Sequence, residues 1–245
     1  MRTYNDEGII IKIKTLREAD RLVVFLTKRN GIVESVAKGG AKSSSRKVSS
    51  LDLLNHVKIN LYETNGLDIL REVQVIEDYQ ILKQDKDTIN QLLYLLEVVD
   101  RLIMITGQEL ESFLLLRSLL HYSTIHPQLI DLFISSFELK ILRLAGFEPN
   151  LTMYTNTLKP MLPNEKRIIA YGEELGYAYS ITDEGDLLIG DKLIKVQRFL
   201  IDNDFPKIAS LEVDNQLLTG IKSIQRDWIE KIIEKRLKSR SLLKN

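Results

Sequence analysis

Residues 22–38 are Leu-Val-Val-Phe-Leu-Thr-Lys-Arg-Asn-Gly-Ile-Val-Glu-Ser-Val-Ala-Lys, and this stretch decides the fold. From Leu22 to Leu26 it is continuously apolar, which is consistent with a strand buried on both faces or with a strand at a barrel corner. Asn30-Gly31 then supplies the turn that joins antiparallel strands, and Ile32 to Lys38 is the return strand. The stretch therefore predicts a β-hairpin.

Further strands are predicted on both sides of this hairpin. Before it, Ile9 to Lys14 has isoleucine at the odd positions and lysine at 12 and 14, the alternation of a half-buried strand. After it, alternation resumes over 57–62, and Asn65-Gly66 turns that strand into 67–76. Five strands with two Asn-Gly hairpins predict a small closed or nearly closed barrel, such as an OB-fold.

After Asp78 the apolar residues take the 3.6-residue period of helices. Helices are predicted to start near Asp87-Thr88 and to cover about 109–124, 127–145, 191–202 and 213–237. Prolines and glycines interrupt residues 147–190, which predicts an irregular insert with short strands near 168–171 and 187–189. The predicted fold class is α+β, with a five-stranded OB barrel over 1–79 and a mostly helical domain over 80–245.

The composition narrows the classes of function. With 44% hydrophobic and 28% charged residues, the chain has the profile of a soluble globular protein. Its formal net charge is zero, so any affinity for nucleic acid must come from local basic patches. The absence of cysteine excludes disulfides, Cys-ligated zinc and thiol catalysis. With no signal-peptide pattern and no apolar run of about 18 residues, we expect a cytoplasmic protein.

The segment that follows the hairpin is basic and rich in serine. No acidic residue occurs between Ser35 and Leu51, and Gly39-Gly40 lets the backbone turn there. Such a loop suits contact with a phosphate backbone, although a merely solvated loop has the same composition. The candidate DNA contacts in this basic loop are Lys38, Lys42, Arg46 and Lys47. Those on the neighbouring hairpin are Arg21, Lys28 and Arg29.

Catalytic chemistry finds little support in the sequence. The three histidines form neither a metal-ligand pair on one helix face nor a recognisable triad, and the carboxylates on helices alternate with lysines as on a solvated face. We therefore predict no enzyme activity, no metal and no cofactor. The chain ends in a second basic patch, which is either a DNA contact or a solvated helix end. Its cations are Lys235, Arg236, Lys238 and Arg240.

Several strings in the sequence resemble the RecO family of DNA-repair recombination mediators. Leu22–Thr27 with Gly31 resembles the family's second strand and hairpin glycine, and Ala37–Lys42 with Ser45-Arg46 resembles its A-K-G-x-R/K-x-x-x-S-R segment. Phe137–Pro149 resembles the central-helix signature F-E-L-x-L-L-x-x-x-G-Y-x-P, and Leu237–Leu243 resembles the K-S-R-x-L-F ending of some members. The resemblance covers essentially the whole chain.

The resemblance implies a non-enzymatic, nucleoid-associated mediator of DNA repair and recombination. Such a protein binds single- and double-stranded DNA and anneals complementary strands. With its partner RecR, it helps to load RecA onto DNA coated by single-strand-binding protein (SSB). A protein-interaction module whose basic loop is incidental is the alternative.

Two further expectations depend on the same resemblance. The acidic, apolar-ended tail of SSB is a partner of the family's helical part, and the central helix offers an apolar wall with Lys140 and Arg143 as rim charges. Many members also hold zinc through two Cys pairs in the insert. The first pair would fall near Tyr154 and Thr157, neither of them a zinc ligand, so the insert is predicted to be a degenerate, zinc-free ribbon.

Overall fold

The first five strands form a closed barrel in the computed structural model, which describes residues 2–16, 18–39, 50–149, 151, 167–172, 176–181 and 191–243. The strands are β1 (Thr3–Thr15), β2 (Arg21–Thr27), β3 (Ile32–Ala37), β4 (His56–Tyr62) and β5 (Asp68–Glu77). Their order around the barrel is β1-β2-β3-β5-β4, and pairing of β1 with β4 closes it. Only β3 and β5 run parallel. This is the OB-like barrel that the sequence predicts.

Strand β2 is apolar from Leu22 to Leu26 because its side chains belong to two cores. Val23 and Phe25 point into the barrel interior. Val24 and Leu26 point the other way, into the core that the barrel shares with the helices. The interpretation of this run as a strand buried on both faces is confirmed, since Val23, Val24, Phe25 and Leu26 are all at most 1% exposed.

Strand β1 departs from the predicted alternation. A β-bulge between Ile10 and Lys12 shifts the register against β2. Ile9 and Ile11 consequently pack into the helical core, whereas Ile13 packs against the barrel interior together with Ile10. The prediction that the odd positions share one face is wrong beyond the bulge, because one extra residue reverses the side-chain alternation.

The helical domain packs around one central helix. The helices are α1 (Gln80–Lys83), α2 (Lys86–Thr106), α3 (Glu109–Ile125), α4 (Ile130–Leu144), α5 (Asp191–Asp202), α6 (Phe205–Ile208) and α7 (Asn215–Ile232). Short 3-10 segments cover Pro127–Leu129 and Lys238–Leu242. Helix α4 contacts α2, α3, α5, α6 and α7, and most of its side chains are buried, as its sequence predicts for the centre of a bundle.

Three helix boundaries differ from the predictions. Asp85, rather than Asp87-Thr88, caps α2, because its side chain accepts a hydrogen bond of 2.8 Å from the Thr88 amide. Pro127 begins a 3-10 turn that precedes α4. Helix α7 ends at Ile232, and Glu234, with φ of 49°, turns the chain away before 237.

A buried carboxylate lies in the middle of the bundle. Glu138 on α4 is 1% exposed, and neither of its oxygens has a hydrogen-bond partner of good geometry. Burial raises the pKa of Glu138 to about 7, although Arg226 on α7 and the Tyr94 hydroxyl on α2 act in the opposite direction. The core of the bundle therefore contains a group that titrates near neutral pH.

The last residues form a clasp, which we define as the segment Leu237–Leu242. The Glu97 carboxylate on α2 accepts hydrogen bonds from the Ser239 amide (2.9 Å) and hydroxyl (2.6 Å), and from the Lys238 amide (3.1 Å). Leu237 is buried in the helical core. The clasp therefore joins the end of the chain to the middle of α2.

The insert is described only in part. Strands β6 (Arg167–Gly172) and β7 (Gly176–Ile181) form an antiparallel hairpin, so the strand predicted near 168–171 is confirmed. The second predicted strand, near 187–189, lies outside the described residues, as do Tyr154 and Thr157. No helix in the described ranges is both long enough and apolar enough to cross a membrane.

Candidate nucleic-acid interface

One end of the barrel brings together Arg21 and Lys38. In the strand register Arg21 lies opposite Ala37 on one side and Thr15 on the other, so Lys38 leaves the barrel beside Arg21. The chain then turns at Gly39, which has φ of 67° and donates its amide proton to Asp20 (2.9 Å). Lys38 is exposed, and neither cation forms a salt bridge within the described ranges. This end of the barrel thus presents positive charge to solvent.

The residues that follow the basic loop are also held against the barrel. Leu51 is buried in the barrel core, and the Asn55 side chain donates a hydrogen bond to the Ser50 carbonyl (3.1 Å). Leu54 adopts φ of 69° and donates its amide proton to the Ile10 carbonyl (2.8 Å). The predicted contacts Lys42, Arg46 and Lys47 lie outside the described residues. Both ends of their loop are anchored on the barrel.

The other predicted hairpin cations lie at the opposite end of β2. Lys28 follows the end of β2, seven positions after Arg21, which corresponds to about 23 Å at roughly 3.3 Å per residue. Lys28 is paired with Glu7 at 3.3 Å, whereas Arg29 is exposed at the tip of the turn. The seven predicted DNA contacts therefore do not form one compact patch.

Glu7 is the centre of a charged cluster where the barrel meets α3. His56 Nε2 lies 2.8 Å from one carboxylate oxygen of Glu7, and Arg117 on α3 lies 3.8 Å from the same oxygen. Burial opposes the charge of Glu7, but the hydrogen bonds from His56 and Lys28 outweigh it and lower the pKa of Glu7. Burial also lowers the pKa of His56. This histidine therefore joins the two domains as a largely neutral ring.

Comparison with known proteins decides the family. The family model described as "Recombination protein O N terminal" matches residues 1–79, and "Recombination protein O C terminal" matches residues 84–241. The chain belongs to the RecO family. The resemblance seen in the sequence is therefore confirmed.

The similarity to relatives extends over nearly the whole chain. "DNA repair protein RecO" of Symbiobacterium thermophilum is 28% identical, with 99% of this chain and 97% of the relative aligned. The protein of the same name from Desulforamulus reducens is 23% identical, with 98% and 93% aligned. A third, from Heliobacterium modesticaldum, is 26% identical over 100% of this chain and 90% of the relative. This RecO-family chain is accordingly a DNA-repair protein.

The two cations predicted to receive the SSB tail have partners within the RecO-family chain itself. The Lys140 ammonium donates a hydrogen bond to the Asn203 carbonyl (2.6 Å) and lies 4.7 Å from the centre of the Phe205 ring. Its burial lowers the pKa of Lys140 to about 8. Arg143 pairs with Glu148 (2.7 Å) and Asp202 (2.8 Å). Both side chains therefore help to fix α5 and the residues that follow it against α4.

The apolar wall predicted beside these cations lies inside the bundle. Phe137 and Ile141 have no exposed surface, and Leu144 is half-buried. The reason is that α4 is surrounded by neighbouring helices, so its apolar face is used for packing. Tail binding at Lys140 and Arg143 stays a prediction, but Phe137 and Ile141 are core residues.

The C-terminal basic patch is divided between structure and solvent. Arg240 forms salt bridges with Asp227 (2.7 Å) and Glu230, which hold the clasp against α7. Lys235, Arg236 and Lys238 are exposed. The sequence does not distinguish Arg240 from its neighbours, because its acidic partners lie more than two helical turns before it.

The described part of the chain contains no group of three His, Asp or Glu side chains arranged to hold a metal. His56 is committed to Glu7 and packs edge-on against Phe113, with ring centres 5.9 Å apart. His121 is exposed and packs against Tyr122.

Sequence reasoning placed Lys238 in the C-terminal basic patch but missed its grouping with two other cations. Lys14 from β1, Arg101 from α2 and Lys238 from the clasp line the same cleft between barrel and helices. No sequence signal connects them, since they lie in three distant segments.

Proposed function

We propose that this chain is a non-enzymatic recombination mediator that binds single- and double-stranded DNA and anneals complementary strands. The observation that carries the proposal is the end of the barrel at which Arg21 and Lys38 lie together beside the anchored basic loop, without a salt bridge to any described residue. Membership of a family whose relatives are named DNA repair proteins supports it.

The chemistry needed is charge rather than catalysis. A cationic loop on a small barrel follows a phosphate backbone without reading its sequence, and its affinity therefore falls as salt rises. Annealing brings two negatively charged strands together, so cations spread over the surface favour it by lowering the repulsion. Because the whole chain has no net charge, these local groups must supply the attraction.

The partners in the proposal are RecR, which acts with this chain to load RecA onto SSB-coated DNA, and SSB itself. For the SSB tail we retain Lys140 and Arg143 as the contact residues. A bound tail carboxylate would compete there with Asp202 and Glu148 for Arg143. A protein-interaction module remains the alternative function.

The test replaces Lys38, Lys42, Arg46 and Lys47 together by alanine and measures binding to single-stranded DNA over a range of salt. Losing four phosphate contacts should flatten the slope of log affinity against log salt by about 3, at roughly 0.7 per contact. The control is Lys195→Ala, an exposed lysine on α5. An unchanged slope and affinity would exclude the basic loop as the DNA contact. Binding that is insensitive to salt in the wild type would favour the protein-interaction module.

Annealing is measured separately, with complementary strands coated by SSB. The wild type should accelerate pairing, and the loop variant should lose most of this acceleration while retaining its melting temperature. The fold should survive because Lys38 is exposed at the end of its strand.

A further inference from the structure

A cleft of about 350 Å³ separates the barrel from the helical domain, at the low end of the size range of ligand sites. Its apolar lining comes from both domains: Ile11 and Leu53 from the barrel, and Leu93 and Leu96 from α2. Leu93 is half-buried, whereas Leu96 is 3% exposed. We refer to this feature as the interdomain cleft.

The charged groups around the interdomain cleft do not cancel. Of its two acids, Asp100 is paired with Lys12 at 2.5 Å. Glu97 keeps its negative charge while it accepts hydrogen bonds from the clasp, and the nearby Arg101 stabilises that charge, so four cations face two acids around the cleft. The remaining cations, Lys14, Arg101 and Lys238, are exposed and form no salt bridge within the ranges that the structure describes. The cleft therefore combines an apolar floor with a rim that carries surplus positive charge.

The interdomain cleft lies at the base of the basic loop. Lys14 is one residue before Thr15, which pairs with Arg21, and Arg21 pairs in turn with Ala37. Adjacent strands are about 4.8 Å apart, so Lys38 emerges roughly 10 Å from the end of β1. Leu53 belongs to the segment that returns from the same loop. A strand held by the loop can thus continue into the cleft.

We propose that the interdomain cleft holds one unstacked base of a bound single strand, with its flanking phosphates on Lys14, Arg101 and Lys238. An apolar slot with a cationic rim matches a nucleotide, in which a flat ring with apolar faces is joined to anionic phosphates. Extraction of a base interrupts stacking in the bound strand and prepares it to pair with a complement. This inference rests on the proposed binding of DNA and adds a base-binding subsite to it.

The experiment compares a single-stranded oligothymidylate with an abasic strand of the same length, which keeps the phosphates and lacks the bases. The full-length wild type should bind the thymidylate about fivefold more tightly, which corresponds to burying roughly 40 Å² of apolar surface at about 25 cal/mol per Å². Leu93→Phe narrows the interdomain cleft and should reduce this preference to about one. Leu110→Phe makes the same change at an exposed leucine on α3 and should preserve the preference.

A second variant removes surface charge and leaves the buried core unchanged. Lys14→Ala, Arg101→Ala and Lys238→Ala together remove three exposed cations, and the salt slope for the thymidylate should flatten by about 2, at roughly 0.7 per phosphate. A preference that persists in Leu93→Phe, or a slope that is unchanged in the triple variant, would overturn the inference while leaving the proposed function in place. Failure of the wild type to bind either strand would overturn both.

Discussion

Replacing Glu138 by glutamine tests whether the centre of the helical bundle contains a carboxyl that is neutral at low pH. The side chain is buried against Tyr94 and Arg226 without a well-formed hydrogen bond, and burial raises its pKa from 4.5 to about 7. Glutamine has nearly the same shape and does not titrate. The variant therefore isolates the ionisation from the packing.

The expected change in the free energy of unfolding follows from proton linkage. Between pH 4.5 and 7 the unfolded chain loses this proton while the folded chain keeps it, so the stability of the wild type falls as pH rises. A shift of about 2.5 pKa units corresponds to about 3 kcal/mol, at 1.36 kcal/mol per unit. Above pH 7 Glu138 is ionised in both the folded and the unfolded chain, so its effect on stability no longer changes with pH. The free energy of unfolding of Glu138→Gln, relative to that of the wild type, should thus rise by about 3 kcal/mol between pH 4.5 and 8.

Urea denaturation at pH 4.5, 5.5, 6.5, 7.5 and 8 measures this difference directly. Glu212→Gln is the control, because Glu212 is exposed in the loop before α7, and its midpoints should follow those of the wild type at every pH. A difference between Glu138→Gln and wild type that does not change with pH would refute the reasoning. It would mean that Arg226 and Tyr94 keep the carboxylate charged despite its burial.

Three further predictions concern the turn, the central helix and the clasp. Gly31→Ala should lower the free energy of unfolding in urea by about 1–2 kcal/mol, since φ is 64° and the new Cβ would lie 2.9 Å from the side chain of the first residue of α3. The control Gly66→Ala adds its Cβ in open space and should stay within about 0.5 kcal/mol of the wild type. Lys140→Glu with Arg143→Glu should weaken binding of an SSB-tail peptide at least tenfold by fluorescence anisotropy and leave DNA affinity intact; unaltered peptide affinity would place the tail elsewhere. Glu97→Ala removes the acceptor of three hydrogen bonds, so amide exchange in the clasp should accelerate and stability should fall by about 1–3 kcal/mol. Unchanged exchange would show that Leu237 and the Arg240 salt bridges are sufficient to hold the segment.

The barrel was predictable because its signals are local. Asn30-Gly31 marks the hairpin, and the apolar run from Leu22 to Leu26 requires burial on both faces, which the two cores of β2 provide. The bulge in β1 was not predictable, because Ile10 and Ile11 are both apolar and either could face either core. The central position of α4 was also clear from its nearly uniform apolar surface.

The partners of individual charged residues were beyond the sequence. Lys140 and Arg143 are spaced like rim charges, but they meet Asn203 and Asp202, some sixty positions further along the chain. Among the predicted DNA contacts, Lys28 is paired with Glu7, whereas Lys38 has no salt bridge to any residue that the structure describes, although both simply follow a strand. Composition locates positive charge along the chain, and only the tertiary structure shows which charges remain available to a ligand.

Strands β1 and β2 each contribute side chains to two cores, and this affects what happens when the barrel is produced without the helices. Ile9, Ile11, Val24 and Leu26 lie on the outside of the barrel, in a core that is built mainly by the helices. Residues 1–79 produced alone would expose all four, at a cost of about 6–12 kcal/mol if each contributes roughly 1.5–3 kcal/mol. That is comparable to the entire stability of a typical domain. A barrel excised at its sequence boundary should therefore aggregate or pair with another copy through this aliphatic face, and the intact chain should unfold as one cooperative unit.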